Sequence, residues 1–330
     1  MANIEEVARE AGVSVATVSR VLNKSNVVAV KTRIKVESVI KKLNYEPNML
    51  GRNLRRSESR MILALMPSIS NPFYTKIVHG IEDIARKFGY SVLLCQTDSD
   101  LDREKIYINL LKQKLADGLI SMDPTLDIGI LKEVGSKYPI VQCCEYTKEL
   151  DIPYVTIDNF NAGYKAVKHL LSIGKKRIAI INSDKRFLYA RLRQEGYEKA
   201  IKEAGIEYKD EYVINGELDF ESGQRGMKQL LSLEEKPDAV FLVSDVLAIG
   251  ALKSIKEASL SVPEDIAIVG FDNIQFATMM NPSITTIAQP MYRIGCESCK
   301  MLIDKIKNKD TQIDNIVMDF ELIIRESTMK

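Results

Sequence analysis

The hydrophobic pattern at the start of the chain predicts two short helices joined by a tight turn. Apolar residues recur at helical spacing from Ile4 to Ala11 and again from Ser14 to Leu22. Gly12 and Val13 lie between these segments, and glycine readily adopts the left-handed backbone that a tight turn needs. The pattern predicts a helix-turn-helix, whose second helix enters the major groove of DNA, with a plain packing hairpin as the alternative.

A third amphipathic segment, from Val30 to Leu43, is expected to close a small three-helix core. The apolar side predicted to face this core consists of Ile34, Val36, Val39, Ile40 and Leu43. The sequence NYEPN at 44–48 is a turn signal, and a short polar helix rich in arginine is predicted over 48–56. We therefore predict a DNA-binding domain over residues 1–47, a hinge helix and linker over 48–60, and a larger domain over 61–330.

Beyond residue 60 the pattern changes to apolar runs of strand length that alternate with amphipathic helices. The predicted strands are Met61–Met66, Val92–Cys95, Gly118–Met122, Ile140–Cys144, Ile178–Ile181, Ala239–Val243 and Ile266–Phe271. Strands that are apolar on both faces and alternate with helices indicate parallel sheets covered on both sides. About 270 residues are too many for one small sheet, so we expect an α/β core of two lobes behind the all-α headpiece.

The charge distribution also separates the two parts of the chain. Residues 1–60 contain twelve Lys and Arg against six Asp and Glu, a net charge of +6, whereas the whole chain carries +1. The difference of −5 lies on residues 61–330. A basic N-terminal segment followed by an acidic remainder is typical of a phosphate-binding module attached to a domain of another kind.

Catalytic chemistry finds little support in the sequence. The two histidines, His79 and His169, lie in helical segments without a nucleophile elbow motif nearby. Neither G-x-x-x-x-G-K-[ST] nor G-x-G-x-x-G occurs, so no phosphate-binding loop is predicted. The five cysteines include a lone C-x-x-C at 296–299, which favours buried reduced thiols over a zinc or redox site. We expect no enzymatic activity, no cofactor and no metal.

Several segments resemble the lactose-repressor (LacI/GalR) family of bacterial transcription regulators. They are VAREAGVSVATVSRVLN, NYEPN, LGRNL, NPFY, ADGLISM, RLRQEGY, SDVLAIGAL, VPEDIAIVGFDN and TTIAQP, which together span essentially the whole chain. The resemblance implies a periplasmic-binding-protein-like core, in which two lobes joined by three crossovers hold a small ligand in the cleft. The crossovers would lie near 158–162, 287–290 and 319–322.

For DNA binding, the second helix offers its first turn and the residue one turn later to the major groove. The side chains expected to face base edges are Val15, Ala16, Thr17, Ser19 and Arg20. By the resemblance, the hinge helix pairs with its copy in the minor groove, where Leu54 wedges into a base step. Asn48, at the start of the hinge helix, is also expected to contact DNA. Arg52, Arg55 and Arg56 would bind phosphates or line the groove, with a solvated charge run as the alternative. An ordinary linker leucine is the alternative for Leu54.

Polar and aromatic residues follow the predicted strands, where ligands of parallel sheets bind. The residues expected to contact a ligand are Phe73, Tyr74, Asp98, Asp123, Glu145, Arg193, Phe220, Asp245 and Asp272. By the resemblance, Phe73 packs against a ring while Arg193 and Asp272 bind its polar groups. A carboxylate accepts from two hydroxyls and a guanidinium donates to an oxygen, so this pair suits a sugar ring or a ribose.

Each of these residues also has a structural interpretation. Arg193 lies in a predicted helix and suits a surface ion pair, whereas Asp272 follows a buried strand and suits a turn cap. Phe73 suits a hydrophobic staple at a helix start. Asp245 suits the N-cap of the helix that begins there.

Two departures from the family pattern bear on the ligand. The chain has Cys144-Glu145 where many sugar-binding members carry an acidic residue, and Ser244-Asp245 where they carry an Asn-Asp pair. Within the family, both features are most similar to a repressor that responds to a nucleoside. A nucleoside is therefore a candidate beside a sugar.

Together these features predict a homodimeric regulator, most often a repressor, that binds a pseudopalindromic operator under control of a ligand in the cleft. The expected partners are double-stranded DNA, a small sugar or nucleoside and a second copy, and the resemblance leaves room for a second transcription factor. No apolar run approaches about 18 residues and the first residues are charged, so we expect a cytoplasmic protein with no membrane partner. A solute-binding protein or sugar sensor without direct DNA regulation is the alternative.

Overall fold

The computed structural model describes residues 2–22, 27–45, 58–122, 128–308 and 313–329. The chain divides into two compact units that meet between Glu58 and Ser59. Most of the predicted hinge segment falls on residues 46–57, which lie outside the described residues.

The first unit contains helices α1 (Ile4–Ala11), α2 (Val15–Leu22) and α3 (Val30–Lys42). A capping box begins α1, since Asn3 accepts from the backbone of Glu6 while the Glu6 carboxylate accepts from the backbone of Asn3. Gly12 ends α1 in the left-handed conformation, with φ 59° and ψ 40°, and its N–H donates to the carbonyls of the last turn. The helix-turn-helix geometry therefore agrees with the prediction.

Eight buried side chains form the described core of this unit: Val7, Ala8, Ala11, Val18, Val21, Val36, Val39 and Tyr45. The predicted apolar side of α3 is wrong at one position, because Ile34 is 61% exposed. Val36 and Val39 supply the buried face, with Ile40 and Leu43 packed at its margin. The core therefore meets α3 near its C-terminal half.

The second unit alternates strands with helices. Its strands are β1 Met61–Met66, β2 Ser91–Gln96, β3 Gly118–Ser121, β4 Ile140–Cys143, β5 Tyr154–Ile157, β6 Ile178–Ser183, β7 Val213–Gly216, β8 Ala239–Leu242, β9 Ala267–Asp272, β10 Thr285–Ala288, β11 Ile316–Met318 and β12 Glu321–Ile323. Its helices are α4 Pro72–Lys87, α5 Leu101–Lys112, α6 Ile128–Lys137, α7 Asn159–Ser172, α8 Leu188–Glu203, α9 Phe220–Leu231, α10 Asp245–Glu257, α11 Gln275–Met279 and α12 Met291–Lys307.

Two six-stranded sheets define two lobes. The first has the strand order β11-β5-β4-β3-β1-β2 and the second β12-β10-β9-β8-β6-β7. The chain passes between the lobes after β5, after β10 and between β11 and β12, because each of these strands is followed by an element of the other lobe. These three crossings coincide with the predicted crossovers, and the two-lobed α/β core is confirmed.

The sheets differ from the prediction at their edges. Strand β12 runs antiparallel to β10, so the second sheet is mixed rather than purely parallel. Strand β2 is an edge strand in which Leu93 and Leu94 are 40% and 38% exposed, so it is not apolar on two buried faces. The apolar pattern of β2 indicated a strand but could not show that one edge of that strand lies open.

Across the described ranges, none of the helices is both long and apolar enough to cross a membrane. All five cysteines are free thiols, and four of them are buried. His79 lies 3.8 Å from Asp83 on the surface, and His169 is hydrogen-bonded to Thr328 at 2.8 Å. Both histidines therefore have surface or packing surroundings.

Candidate ligand site and DNA-binding helix

The predicted recognition helix α2 presents part of its surface to solvent. Val18 and Val21 are buried in the core, whereas Ala16 and Arg20 are exposed. Ser14 caps the helix, because its Oγ accepts from the Thr17 N–H at 3.2 Å, and the Thr17 hydroxyl lies 3.0 Å from the same oxygen. The helix is thus anchored on one side and free to approach DNA with the other.

The remaining predicted DNA contacts divide into two groups. Val15, Thr17 and Ser19 are half-buried on α2, and Val15 also packs against the core of the first unit. Asn48, Arg52, Leu54, Arg55 and Arg56 lie outside the described residues, as does the predicted ligand contact Asp123. Their roles stay predictions.

A cavity of about 480 Å³ lies between the lobes at the carboxyl ends of their strands. Its lining includes the predicted residues Tyr74, Asp98, Glu145 and Phe220. A smaller cavity of about 40 Å³ shares six residues with the large one and adds Phe73, Arg193 and Asp272. Seven of the nine predicted ligand contacts therefore meet in one cleft, where open parallel sheets place their ligands.

Arg193 forms the buried centre of the smaller cavity. Its Nε donates to Asn159 Oδ1 at 2.9 Å and its Nη1 donates to the Val243 carbonyl at 2.6 Å. The guanidinium carbon lies 3.5 Å from the centroid of the Phe271 ring. Burial lowers the pKa of Arg193, while the charge of Asp272 acts in the opposite direction. Arg193 is therefore a fixed, charged donor in the cleft and not a surface ion-pair residue.

Asp272 is the last residue of β9 and has a positive φ of 105°, and both of its carboxylate oxygens accept hydrogen bonds. Gln289 Nε2 donates to Oδ1 at 2.7 Å and Ser244 Oγ donates to Oδ2 at 3.1 Å. Burial raises the pKa of Asp272 to about 6, against the opposing charge of Arg193. Each oxygen keeps a second lone pair, so the held carboxylate can still accept from ligand hydroxyls.

Helix α8 is held in place by a glycine of α7. A Cβ added at Gly163 would lie 2.5 Å from the Arg193 carbonyl oxygen and 2.9 Å from its Cα. Only glycine permits this approach, because any side chain would push the backbone of α8 outward. Gly163 therefore sets the depth at which Arg193 enters the cleft.

Glu145 joins the two lobes across the cleft. It follows β4 in the first lobe, and its carboxylate accepts from the N–H groups of Leu188 and Tyr189 at the start of α8 in the second lobe. Burial raises the pKa of Glu145 to about 7, although the two amide donors and the charge of Arg193 act in the opposite direction. Glu145 therefore has both a ligand-facing position and a structural role.

Aromatic rings cover the walls of the cleft. Asn71 caps α4 by accepting from the Phe73 N–H at 3.0 Å, and the rings of Phe73 and Tyr74 meet edge to face at 5.1 Å. On the second lobe, the rings of Phe187 and Tyr189 are stacked at 5.6 Å with 16° between their planes. These surfaces suit contact with a flat ring.

Asp245 is not the N-cap that the sequence suggested, and its contact with a ligand stays a prediction. The residue is fully buried and is absent from the described lining of both cavities. Its Oδ1 accepts from the Thr286 hydroxyl at 2.7 Å and its Oδ2 from the Ile274 N–H at 2.9 Å. The N-cap of α10 is Ser244, whose Oγ accepts from the Val246 N–H. Asp245 thus ties α10 to β10 and to the loop after β9.

Among the cleft residues that sequence reasoning missed are Asn159, Tyr189 and Gln289. Asn159 and Gln289 lie at two of the crossovers, so the crossovers themselves were the available signal. Tyr189 is the second residue of α8. No sequence pattern distinguished it from other aromatic residues in helices.

Comparisons with known proteins agree with this geometry. Residues 3–48 match the model for bacterial regulatory proteins of the lacI family. Residues 59–326 match the model for periplasmic binding proteins and the sugar binding domain of the LacI family. The chain is 40% identical over 328 residues to the HTH-type transcriptional repressor CytR of Escherichia coli (strain K12), covering 99% of this chain and 96% of that protein.

Solved structures give the same result. The lac repressor dimer bound to operator and the anti-inducer ONPF matches with a TM-score of 0.89 at 28% identity, covering 100% of this chain and 99% of that one. A LacI family transcriptional regulator from Enterococcus faecium with bound ribose matches with a TM-score of 0.73 at 30% identity, covering 81% of this chain and 98% of that one.

A helix-turn-helix unit together with a two-lobed unit around a ligand cleft defines a DNA-binding transcriptional regulator. The chain belongs to the LacI family of bacterial regulatory proteins. The family resemblance inferred from the sequence is thereby confirmed, as is its similarity to the repressor CytR. The family is one of DNA-binding regulators.

Proposed function

We propose that the protein is a dimeric repressor in the cytoplasm, whose binding to a pseudopalindromic operator is controlled by a sugar or nucleoside in the cleft. The observation that carries this proposal is that the buried Arg193 and Asp272 line the same cavity in a chain that also has a helix-turn-helix. Arg193 Nη2 has no acceptor among the described residues and is oriented by the bonds of Nε and Nη1. Ribose in a relative's structure supports a hydroxyl-rich ring as ligand.

A ligand in the cleft can control operator binding through the arrangement of the two lobes. Three crossovers join the lobes, and the ligand site lies between them, so a ligand that contacts both lobes favours one lobe arrangement over others. We propose that this arrangement sets the spacing of the two headpieces in the dimer, with the hinge segment as the connection. Linkage then requires that DNA alter ligand affinity by the same factor as ligand alters DNA affinity.

Selection from a random DNA pool by the full-length protein is expected to return a two-fold symmetric site. A ligand found by thermal shift among sugars and nucleosides should change the affinity for that site by about tenfold or more, corresponding to a coupling of about 1.4 kcal/mol. Gel shifts with and without ligand measure this change. Selection of asymmetric DNA only, or a ligand that raises the melting temperature but leaves operator affinity unchanged, would contradict the proposal.

A second copy is proposed to contact the open edge of β2. The exposed leucines Leu93 and Leu94 place one apolar side chain on each face of this edge strand, and the similar lac repressor structure is a dimer. We expect Leu94→Lys to convert the dimer to monomers in light scattering, because a buried charge without a partner opposes association. Val317→Lys is the matched control, since Val317 is 57% exposed on β11 at the opposite edge of the same sheet. A dimeric Leu94→Lys variant would place the contact elsewhere.

A further inference from the structure

The start of α8 opens on the cavity and lacks a cap of its own. Phe187, the N-cap residue, makes no side-chain hydrogen bond to the helix. The free N–H groups and the dipole at a helix start ordinarily form a binding place for phosphate and other anions. Here the Glu145 carboxylate accepts from the N–H groups of Leu188 and Tyr189. An anionic group of the chain itself therefore occupies the position that a ligand phosphate would take.

The rest of the large cavity also disfavours an anion. Its lining has four further carboxylates, those of Asp98, Asp184, Glu217 and Asp219, and its described residues include no Lys, Arg or His. Asp98 and Asp184 are ion-paired with Arg103 and Arg186, so the uncompensated charges among these four described carboxylates are those of Glu217 and Asp219. Arg193 belongs to the smaller cavity, where its charge is opposed by that of Asp272. A phosphate in the large cavity would thus lose its hydration and meet charges of its own sign.

The same lining suits a ring that donates hydrogen bonds. Four aromatic side chains line the large cavity: Tyr74, Phe187, Tyr189 and Phe220. Rings of this kind contact the flat or apolar face of a ligand, while the carboxylates accept from hydroxyl or amino groups at its edge.

We infer that Glu145 is a specificity-determining residue that excludes phosphorylated ligands, so that the cleft selects an unphosphorylated ring with hydroxyl or amino donors. This inference rests on the proposed function, since it names the ligand class of the same cleft. It assigns nucleosides and free sugars to the accepted class and nucleotides and sugar phosphates to the rejected one.

The first test uses inorganic phosphate as the probe and needs no knowledge of the natural ligand. Full-length wild type and Glu145→Ala are titrated with phosphate at pH 8 and constant ionic strength, and the melting temperature of the core is followed. At this pH Glu145 is ionised, because burial raises its pKa only to about 7. We expect Glu145→Ala to bind phosphate about tenfold more tightly than wild type, because the amides of α8 become available.

Glu217→Gln is the matched control for that titration. It removes one carboxylate from the same cavity wall, but Glu217 is exposed and lies outside α8. Its phosphate affinity should rise far less than that of Glu145→Ala, because solvent screens the charge of the exposed Glu217 and its removal frees no helix amide. Equal phosphate affinity in wild type and Glu145→Ala would overturn the inference, and so would an equal gain in Glu217→Gln, since general cavity charge would then be responsible.

The second test compares pairs of probes on the wild type: ribose with ribose 5-phosphate, glucose with glucose 6-phosphate, and cytidine with cytidine 5′-monophosphate. In every pair that binds, the phosphorylated member should bind at least about tenfold more weakly. A phosphorylated member that binds as tightly as its partner would overturn the inference. If no pair binds, the phosphate titration decides alone. Operator binding in a gel shift is measured separately, so failure of the ligand class is distinguished from failure of the proposed repressor.

Discussion

Arg193→Ala is expected to abolish ligand binding in the cleft and to lower the free energy of unfolding of the core by about 3–5 kcal/mol. The substitution leaves Asp272 buried at 5% exposure without its countercharge. It also removes the donors to Asn159 Oδ1 and the Val243 carbonyl and empties the space above the Phe271 ring. Urea unfolding measures the loss of stability, and titration with the ligand found by thermal shift measures the loss of affinity.

Two variants distinguish ligand binding by the Arg193 side chain from a general disturbance of helix α8. Arg191→Ala removes an exposed arginine of the same helix, whose Nη1 donates only to carbonyls of the preceding loop, and should leave ligand affinity close to wild type. Arg193→Lys keeps the charge but not the planar fork, so we expect a folded core with ligand affinity reduced at least about tenfold. Wild-type affinity in either Arg193 variant would remove this residue from the ligand site.

Gly12→Val is expected to lower operator affinity by about a hundredfold or more while leaving the ligand-binding core intact. Gly12 has φ 59° and ψ 40°, and a β-branched residue is strongly disfavoured there. Lack of space is not the cause, because among the described residues a Cβ at this position would have only Lys35 Nζ near it, at 3.4 Å. The loss of stability falls on a small unit, in which eight of the described side chains form the buried core, and such a unit has little stability to lose.

Gly12→Asn is the matched variant, since asparagine tolerates the left-handed conformation better than other residues with side chains. Its operator affinity should lie within about a few fold of wild type. Gel shifts measure the operator affinity, and the melting temperature of the core measures the stability of the second unit. Unchanged operator binding by Gly12→Val would show that the turn between α1 and α2 is not needed for recognition.

The helices and strands were largely predictable because their signals are local. The helical spacing of the first 22 residues gave α1 and α2, and the buried strands β1, β6 and β9 appeared as apolar runs. Strands β5, β7 and β10 to β12 were not predicted. Two of them, β11 and β12, contain only three residues each, too few for a periodic pattern.

The ligand site was predictable where its residues follow strands and unpredictable where roles depend on distant partners. Phe73, Arg193 and Asp272 were found from their positions in the chain and from the family resemblance. Asp245 has the same kind of position, yet its carboxylate bonds to Thr286 and Ile274. No sequence pattern shows which way a carboxylate at a strand end will turn.

The sequence by itself determined the two-part organisation of this protein, the helix-turn-helix and the two-lobed α/β core, because local periodicity and charge are written along the chain. Only the tertiary structure decided that Glu145 caps a helix of the other lobe and that Asn159 and Gln289 hold Arg193 and Asp272. The physical reason is that these contacts join residues separated by 17 to 44 positions. Such contacts exist only after the sheets and helices have packed together, and those of Glu145 also need the two lobes to be in place.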